Sequence, residues 1–110
     1  MAMKLLKYAS KKIIRKIITF NLYFVQRDLD FVNMMTYDLH GNWESETGHN
    51  APMYPRTGET GDQRNLNIEW VVNYWINNGC PREKLTLGLG AYGRTFRLTN
   101  ANNNGLGMDF

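Results

Sequence analysis

The sequence predicts an α/β fold built around one strand–helix–strand unit with a parallel sheet. Two apolar runs, at residues 31–37 and 84–91, flank a helical segment at residues 67–78. Strands joined through a helix in this order pair in parallel, with a right-handed crossover. Each apolar run ends near a tyrosine and a charged residue, which is how a parallel barrel presents binding residues at one rim.

Composition is that of a globular protein, and 110 residues are enough for one domain. Hydrophobic residues make up 43% and charged residues 21% of the chain. Aromatic residues, at 13%, suit flat ligands such as carbohydrates but also fill cores. The single cysteine, Cys80, leaves no partner for a disulfide within these residues, and no apolar run reaches the roughly 20 residues of a membrane-spanning helix.

Residues 1–27 differ from the rest of the chain in charge. They carry seven basic residues and no acidic one, whereas residues 28–110 carry six basic and ten acidic residues, a net charge of −4. Their apolar residues share one helical stripe, which predicts a basic amphipathic helix. The members of that stripe are Leu6, Ala9, Ile13, Ile17 and Phe20.

Three interpretations of this leader are open. The helix can pack its apolar face on the body of the protein, it can bind an anionic membrane or nucleic acid, or it can have no function. A signal peptide fits poorly, because Gln26 and Arg27 do not form a small-residue cleavage site.

The first apolar run, residues 31–37, predicts a strand buried on both faces, with Asn33 needing a partner for its amide. Residues 38–65 follow as an irregular segment rich in glycine, asparagine, threonine and proline. Connections longer than about 12–15 residues are usually functional or disordered. Because Trp43, Pro52 and Tyr54 can pin this one, we expect an ordered binding loop.

The segment at residues 67–78 predicts a helix with both ends specified. Asn67 is a favourable N-cap, Gly79 supplies the left-handed residue after the last turn, and Pro81 prevents continuation. One face carries the apolar residues Ile68, Val71 and Trp75. In the strand that follows, residues 84–91, two glycines allow a neighbouring chain segment to approach closely. They are Gly88 and Gly90.

Several segments together resemble glycoside hydrolase family 18, most closely the animal chitinases and chitinase-like lectins. These segments read DFVNMMTYDLHGNWE, TGHNAPMY and LNIEWVVNYWINNGCPREKLTLGLGAYGRTFRL, and they occur in the family's order. The resemblance implies a partial (β/α)8 TIM barrel, in which the two strands are the sixth and seventh. It implies a division into a leader at 1–27, unrelated to the family pattern, and a partial barrel at 28–110.

The resemblance also implies a carbohydrate site. In this family the N-acetyl carbonyl oxygen of the sugar attacks its own anomeric carbon, so the enzyme supplies a general acid and holds the acetamido group. Tyr37 matches the tyrosine that steadies this oxygen, a donor worth about 3 kcal/mol in the transition state. The substrate-binding positions that the resemblance implies are Met35, Asp38, Trp43, Tyr92 and Arg94.

Each of these residues has a purely structural alternative. Met35 can fill the core, Trp43 can brace its own loop, and Asp38 can turn the chain after the strand. Tyr37 and Tyr92 can bury their rings and satisfy their hydroxyls locally.

The charged residues near the rim also have structural alternatives. Arg94 can form an ion pair with Asp38 or Glu44. His40 and His49 lack metal-ligand spacing and are predicted to be hydrogen-bonding residues of the loop.

The chain departs from the family at the catalytic acid, because no Asp-x-x-Asp-x-Asp-x-Glu motif occurs in it. We therefore expect a chain that contributes part of a cleft for chitin or chito-oligosaccharide without hydrolysing it, with no cofactor or metal. A non-catalytic chitin-binding lectin is one alternative, and an adaptor that binds membranes or nucleic acid through its leader is another. The resemblance implies an extracellular protein, and the exposed barrel edges favour self-association.

Overall fold

The structure, a computed structural model, describes residues 27–110. Its elements are, in order, β1 (Val32–Met34), a 3₁₀ helix (Gly61–Asn65), α1 (Ile68–Asn77), a second 3₁₀ helix (Arg82–Lys84) and β2 (Leu85–Leu87). The predicted amphipathic helix lies outside the described residues, so it and the boundary at residue 27 stay predictions. Among residues 27–110, no helix combines the length and apolar character needed to cross a membrane.

The two strands form a parallel pair, which confirms the strand–helix–strand prediction. Val32 lies opposite Leu85, and Met34 lies opposite Leu87. The ladder continues past the strands, because the amide of Gly88 donates to the carbonyl oxygen of Met34 at 2.9 Å. The paired strands are shorter than the predicted apolar runs, since pairing covers only the first part of each.

Only one face of this sheet is covered by the described residues. Val32 and Met34 are buried, and α1 packs against them through Val71, Val72 and Trp75. The opposite face of β1 is exposed, so the prediction of a strand buried on both faces is wrong for this part of the chain. Asn33 lies on that open face, where its amide reaches water and needs no buried partner.

The ends of α1 follow the predicted capping pattern. The side-chain oxygen of Asn67 accepts a hydrogen bond from the backbone amide of Trp70 at 2.9 Å. The side-chain nitrogen of Asn67 donates to the backbone carbonyl of Arg64 at 2.7 Å. Gly79 adopts a positive φ of 90° after the last turn. Its amide and that of Cys80 bond back to the helix at 2.9 and 3.0 Å, which is the Schellman arrangement.

The segment at residues 38–65 is anchored mainly by polar contacts with the last residues of the chain. The backbone of Thr47 pairs with Met108 at 2.9 Å and with Gly107 at 2.8 Å, and its hydroxyl donates to the carbonyl of Gly105 at 2.8 Å. Pro52 contributes through its carbonyl, as predicted for a pinning residue, but Tyr54 is 64% exposed. Hydrogen bonds around a buried threonine thus replace one of the expected aromatic anchors.

The first prediction concerns the cap of α1. Asn67→Ala removes the acceptor for the first turn and leaves the Arg64 carbonyl without its donor, so we expect the free energy of unfolding to fall by about 1–2 kcal/mol. Denaturant titration of the far-ultraviolet circular dichroism measures it. Asn73→Ala, at an exposed position within the same helix, is the matched control and should cost nothing. Equal losses from both variants would contradict the capping role.

The second prediction concerns the exposed apolar surface beside the sheet. Leu89, two residues after the end of β2, is 79% exposed, and Phe31 is also exposed. We expect the isolated chain to associate as its concentration rises, because exposed sheet edges and apolar side chains favour edge pairing. Light scattering after size exclusion measures the mass. Leu89→Lys should reduce association and Thr99→Lys should not; a monomer at all concentrations would contradict the prediction.

Candidate functional site

The candidate site forms where the ends of the two parallel strands meet. Asp38 follows β1, and Tyr92 and Arg94 follow β2. The hydroxyl of Tyr92 donates to Oδ1 of Asp38 at 2.6 Å, and the guanidinium of Arg94 forms an ion pair with the same oxygen. Of the two carboxylates considered for Arg94, the structure thus pairs it with Asp38.

The backbone at Asp38 turns sharply out of the strand. Its φ is +57°, in the left-handed region that aspartate and asparagine tolerate better than most residues. The amide of Asp38 donates to the side-chain oxygen of Asn50 at 3.1 Å, and the amide of Leu39 donates to the Asn50 carbonyl at 3.0 Å. The prediction that Asp38 turns the chain is therefore confirmed, and its carboxylate reaches Tyr92 and Arg94 in the segment after β2.

Asn50 is the residue of this site that sequence reasoning missed. Besides holding Asp38, its amide nitrogen donates to the carbonyl of Tyr92 at 3.4 Å. Its primary amide both donates and accepts, so it bridges the backbone at Asp38 and the backbone at Tyr92. The available signal was its position in TGHNAPMY, inside the predicted binding loop.

Aromatic rings and one cation form the surface of the site. The rings of Tyr37 and Tyr92 meet edge to face, with centroids 6.0 Å apart and an interplanar angle of 76°. The guanidinium carbon of Arg94 lies 5.2 Å from the centroid of the Trp43 ring and 5.8 Å from that of Tyr92. These cation–π distances place Arg94 against both rings as well as beside the carboxylate.

Two glycines of the second strand segment make room for Tyr37. A Cβ atom on Gly90 would lie 3.1 Å from the Cβ of Tyr37, and one on Gly88 would lie 2.5 Å from the carbonyl oxygen of Met34. The close approach predicted for these glycines is confirmed. It lets the Tyr37 ring lie over the backbone that follows β2.

Met35 and Trp43 are open to solvent. Met35 follows β1 directly and is 43% exposed, so the alternative that Met35 fills the core is wrong. Trp43 is 53% exposed while its ring lies against Gly41. Both the loop-bracing and the ligand-contacting interpretations of Trp43 are therefore compatible with its position.

The two histidines of the loop differ in environment. His40 is buried, with Nδ1 2.9 Å from Oε2 of Glu44, whereas His49 is exposed. The prediction of a loop hydrogen bond is confirmed for His40. Within residues 27–110, no cluster of three histidine, cysteine, aspartate or glutamate side chains could hold a metal ion.

The electrostatics of the site favour a protonated tyrosine at its centre. The hydrogen bond from Tyr92 to Asp38 raises the pKa of the Tyr92 hydroxyl above its ordinary value, and desolvation adds to this; Asn50 and Arg94 act in the opposite direction. Tyr92 is therefore a permanent donor at neutral pH. The site can offer hydrogen bonds, ring faces and a fixed positive charge to a polar ligand.

Comparisons with known proteins agree on one family. A family model described as "Glycosyl hydrolases family 18" matches residues 3–109, a range that includes most of the leader. Mouse chitotriosidase-1 is 43% identical over 83 residues, which cover 76% of this chain and 18% of the relative. Human oviduct-specific glycoprotein is 43% identical over 88 residues, which cover 80% of this chain and 12% of the relative.

Solved structures give the same picture. The structure of human YKL-39, a pseudo-chitinase with retained chitooligosaccharide binding properties, is 37% identical with a TM-score of 0.77 over 80% of this chain and 24% of that one. An immunomodulatory active chitinase from Trichuris suis is 36% identical with a TM-score of 0.77 over 81% of this chain and 24% of that one. The chain therefore spans about a quarter of these structures and less than a fifth of the two relatives.

The third prediction tests the Tyr92–Asp38 bond. A raised pKa means that folding favours the neutral phenol, so the stability that this bond contributes is complete below the ordinary pKa of 10.0 and is lost as the pH rises through the higher folded value. Asp38→Asn keeps a residue that tolerates the positive φ but removes the charge. We expect the pKa of Tyr92 to fall towards 10.0 in this variant.

Ultraviolet absorbance of tyrosinate during alkaline titration measures this shift. Tyr92→Phe identifies which part of the titration belongs to Tyr92, since the chain has six tyrosines. Superimposable titrations of the unmodified chain and of Asp38→Asn would show that the carboxylate does not hold the phenol proton.

Proposed function

Because the chain belongs to glycoside hydrolase family 18, we propose that residues 28–110 form one wall of a cleft that binds β-1,4-linked N-acetylglucosamine. One observation carries this proposal. Asp38 from the end of β1 receives both Tyr92 and Arg94 from beyond β2, so polar groups of two strands converge at one rim with open aromatic rings around them. Rims of parallel strands are where barrels of this kind bind their ligands.

The proposed roles divide the wall into a sugar pocket and a platform. Tyr37 would hold the N-acetyl carbonyl oxygen, and Met35 would lie beneath the same sugar. Met35 is exposed, whereas Tyr37 is partly buried and its ring meets that of Tyr92 edge to face. A thioether and a ring that offer apolar contact, together with a phenolic donor, suit a sugar that carries an acetamido group.

The platform consists of Trp43, Tyr92 and Arg94, with Asp38 hydrogen bonded among them. Sugar rings present apolar C–H faces that pack on indole and phenol rings, while their hydroxyls need charged or polar partners at the edge. Arg94 contacts both rings and the carboxylate, so the groups of the platform already touch one another before a ligand arrives. Preorganisation of this kind lowers the entropic cost of binding.

For catalysis, we propose that these 110 residues bind without hydrolysing. The family's mechanism needs a general acid for the leaving oxygen, and the Asp-x-x-Asp-x-Asp-x-Glu motif that carries it does not occur in the sequence. Loss of a general acid alone removes about 10²–10⁴ in rate. Substrate-assisted hydrolysis of chitin is then a property to be tested on a longer protein that contains this segment.

A non-catalytic chitinase-like lectin is the second candidate for such a longer protein. The likeness to human YKL-39, a pseudo-chitinase with retained chitooligosaccharide binding properties, favours it, because the same wall can serve binding alone. The two candidates differ in whether an in-frame catalytic motif precedes residue 28, and they share the proposed cleft.

We also propose that the segment works outside the cell, as the family resemblance implies. Cys80 is buried, and burial raises the pKa of its thiol above the ordinary value. Only a thiolate attacks disulfides, so an unpaired but protected thiol is compatible with an oxidising environment.

The fourth prediction is that the chain binds chito-oligosaccharide and that Trp43 carries a large share of the affinity. Trp43→Ala removes the exposed ring of the platform, and we expect the dissociation constant to rise about tenfold or more, as for truncated aromatic anchors. Isothermal titration with chitotetraose measures it. Trp70→Phe, on α1 and outside the site, is the control and should leave affinity unchanged.

The same preparations test the catalytic half of the proposal. A fluorogenic chito-oligosaccharide should not be turned over by the unmodified chain or by Tyr37→Phe. Turnover that Tyr37→Phe abolishes would overturn the binding-only proposal, and absence of any glycan binding by the unmodified chain would overturn the cleft itself.

A further inference from the structure

Trp43 belongs to a tight turn whose two ends are joined by a side-chain hydrogen bond. His40 begins the turn and Glu44 ends it, with Nδ1 of the imidazole 2.9 Å from Oε2 of the carboxylate. Inside the turn, the amide of Glu44 donates to the carbonyl of Gly41 at 3.1 Å. The indole therefore projects from a closed loop of five residues.

The histidine at the base of this turn is held firmly. Its side chain is only 6% exposed, and the backbone of Gly48 lies directly on the ring, since a Cβ there would be 2.5 Å from Cγ and 2.9 Å from Nδ1 of His40. An ionised carboxylate only accepts hydrogen bonds, so Nδ1 carries the hydrogen. The other nitrogen, Nε2, faces Oε1 of Glu59 at 4.0 Å.

Glu59 is itself fixed. Its side chain is 8% exposed, its Oε2 accepts from the amide of Arg56 at 2.9 Å, and its Oε1 lies 3.6 Å from Nε of Arg56. The imidazole is thus confined by a carboxylate on each side and a backbone across its face. Such confinement leaves one orientation in which His40 can reach Glu44.

The indole of Trp43 contacts its own turn and Arg94. It is 53% exposed, lies against Gly41 and faces the guanidinium of Arg94 at 5.2 Å. An exposed cation–π contact is a weak interaction and does not by itself fix the position of a loop. Because Gly41 belongs to the same turn as Trp43, opening of the turn also changes this contact.

From this geometry we propose that His40 is a positioning residue for Trp43, acting through its Nδ1 hydrogen bond to Glu44. Loss of this bond opens the turn and frees the indole from Gly41 and Arg94, while the core around β1 and α1 stays intact. The placement of the ring stands on the contacts above; only its consequence for glycan binding rests on the proposed function.

Fluorine NMR of the full chain labelled with fluorotryptophan tests the proposal. Trp43→Phe assigns one of the three tryptophan resonances, and Trp75, which packs against the core, reports folding. We expect His40→Gln to move the Trp43 resonance towards the position of free fluorotryptophan and to leave the Trp75 resonance in place. His49→Gln, an exposed histidine of the same loop, is the matched control and should move neither.

His40→Asn distinguishes positioning from general packing. The asparagine amide nitrogen is bonded to Cγ, as Nδ1 is in histidine, so it can still donate to Glu44; the glutamine amide extends to the place of Nε2 and cannot. We expect His40→Asn to keep the Trp43 resonance near its original position although it removes more volume than His40→Gln. If both variants displace Trp43 equally, or neither does, the proposal is wrong.

Glu44→Ala keeps the test decisive if His40→Gln unfolds the chain and shifts all three resonances. Glu44 is at the less buried end of the pair, with 18% of its side chain exposed, and its truncation should displace Trp43 alone. An unchanged Trp43 resonance in Glu44→Ala would overturn the proposal. Adding chitotetraose to the unmodified chain separates the positioning role of His40 from the proposed glycan binding. A Trp43 resonance that does not shift when the sugar is added contradicts the proposed function but leaves the result on His40 valid.

Discussion

The parallel register of β1 and β2 is the constraint on which the candidate site depends. With Met34 beside Leu87, the chain leaves both strands at the same edge, and the residues that follow must share that space. Tyr92 and Arg94 lie more than fifty residues after Asp38 in the sequence, and both contact one oxygen of its carboxylate. A register slip of one residue would reverse the faces of a strand and separate them.

Hydrogen bonds between side chains and backbone groups fix the positions of the loops relative to the two paired strands. Thr36 is fully buried and its hydroxyl donates to the carbonyl of Gly88 at 2.6 Å, which locks the two strands together just below the site. Asn50 fixes the beginning of the long loop in the same way. Thr47 fixes the contact of this loop with Gly105, and Asn67 fixes the start of α1. Because a buried polar group without a partner costs about 1–3 kcal/mol, each of these bonds excludes alternative loop positions.

This dependence on polar contacts suits a binding wall. Only a few apolar residues are buried among residues 27–110, and the largest apolar surfaces, such as Leu89 and Trp43, stay open to solvent. A loop held by several directional bonds is rigid without needing a thick core beneath it. Aromatic rings can then remain exposed for a ligand. The same exposed apolar surface also favours association of the chain with other copies of itself.

The sequence by itself determined the local structure and the family. Asn67 and Gly79 specified the ends of α1 because capping depends on neighbouring residues alone, and the motifs around Tyr37 and Tyr92 identified glycoside hydrolase family 18 because their order is characteristic. The tertiary structure decided which partners these residues take. Neither the choice of Asp38 for Arg94, nor the bridging role of Asn50, nor the open face of β1 follows from local pattern, since each depends on which distant segment the fold brings alongside.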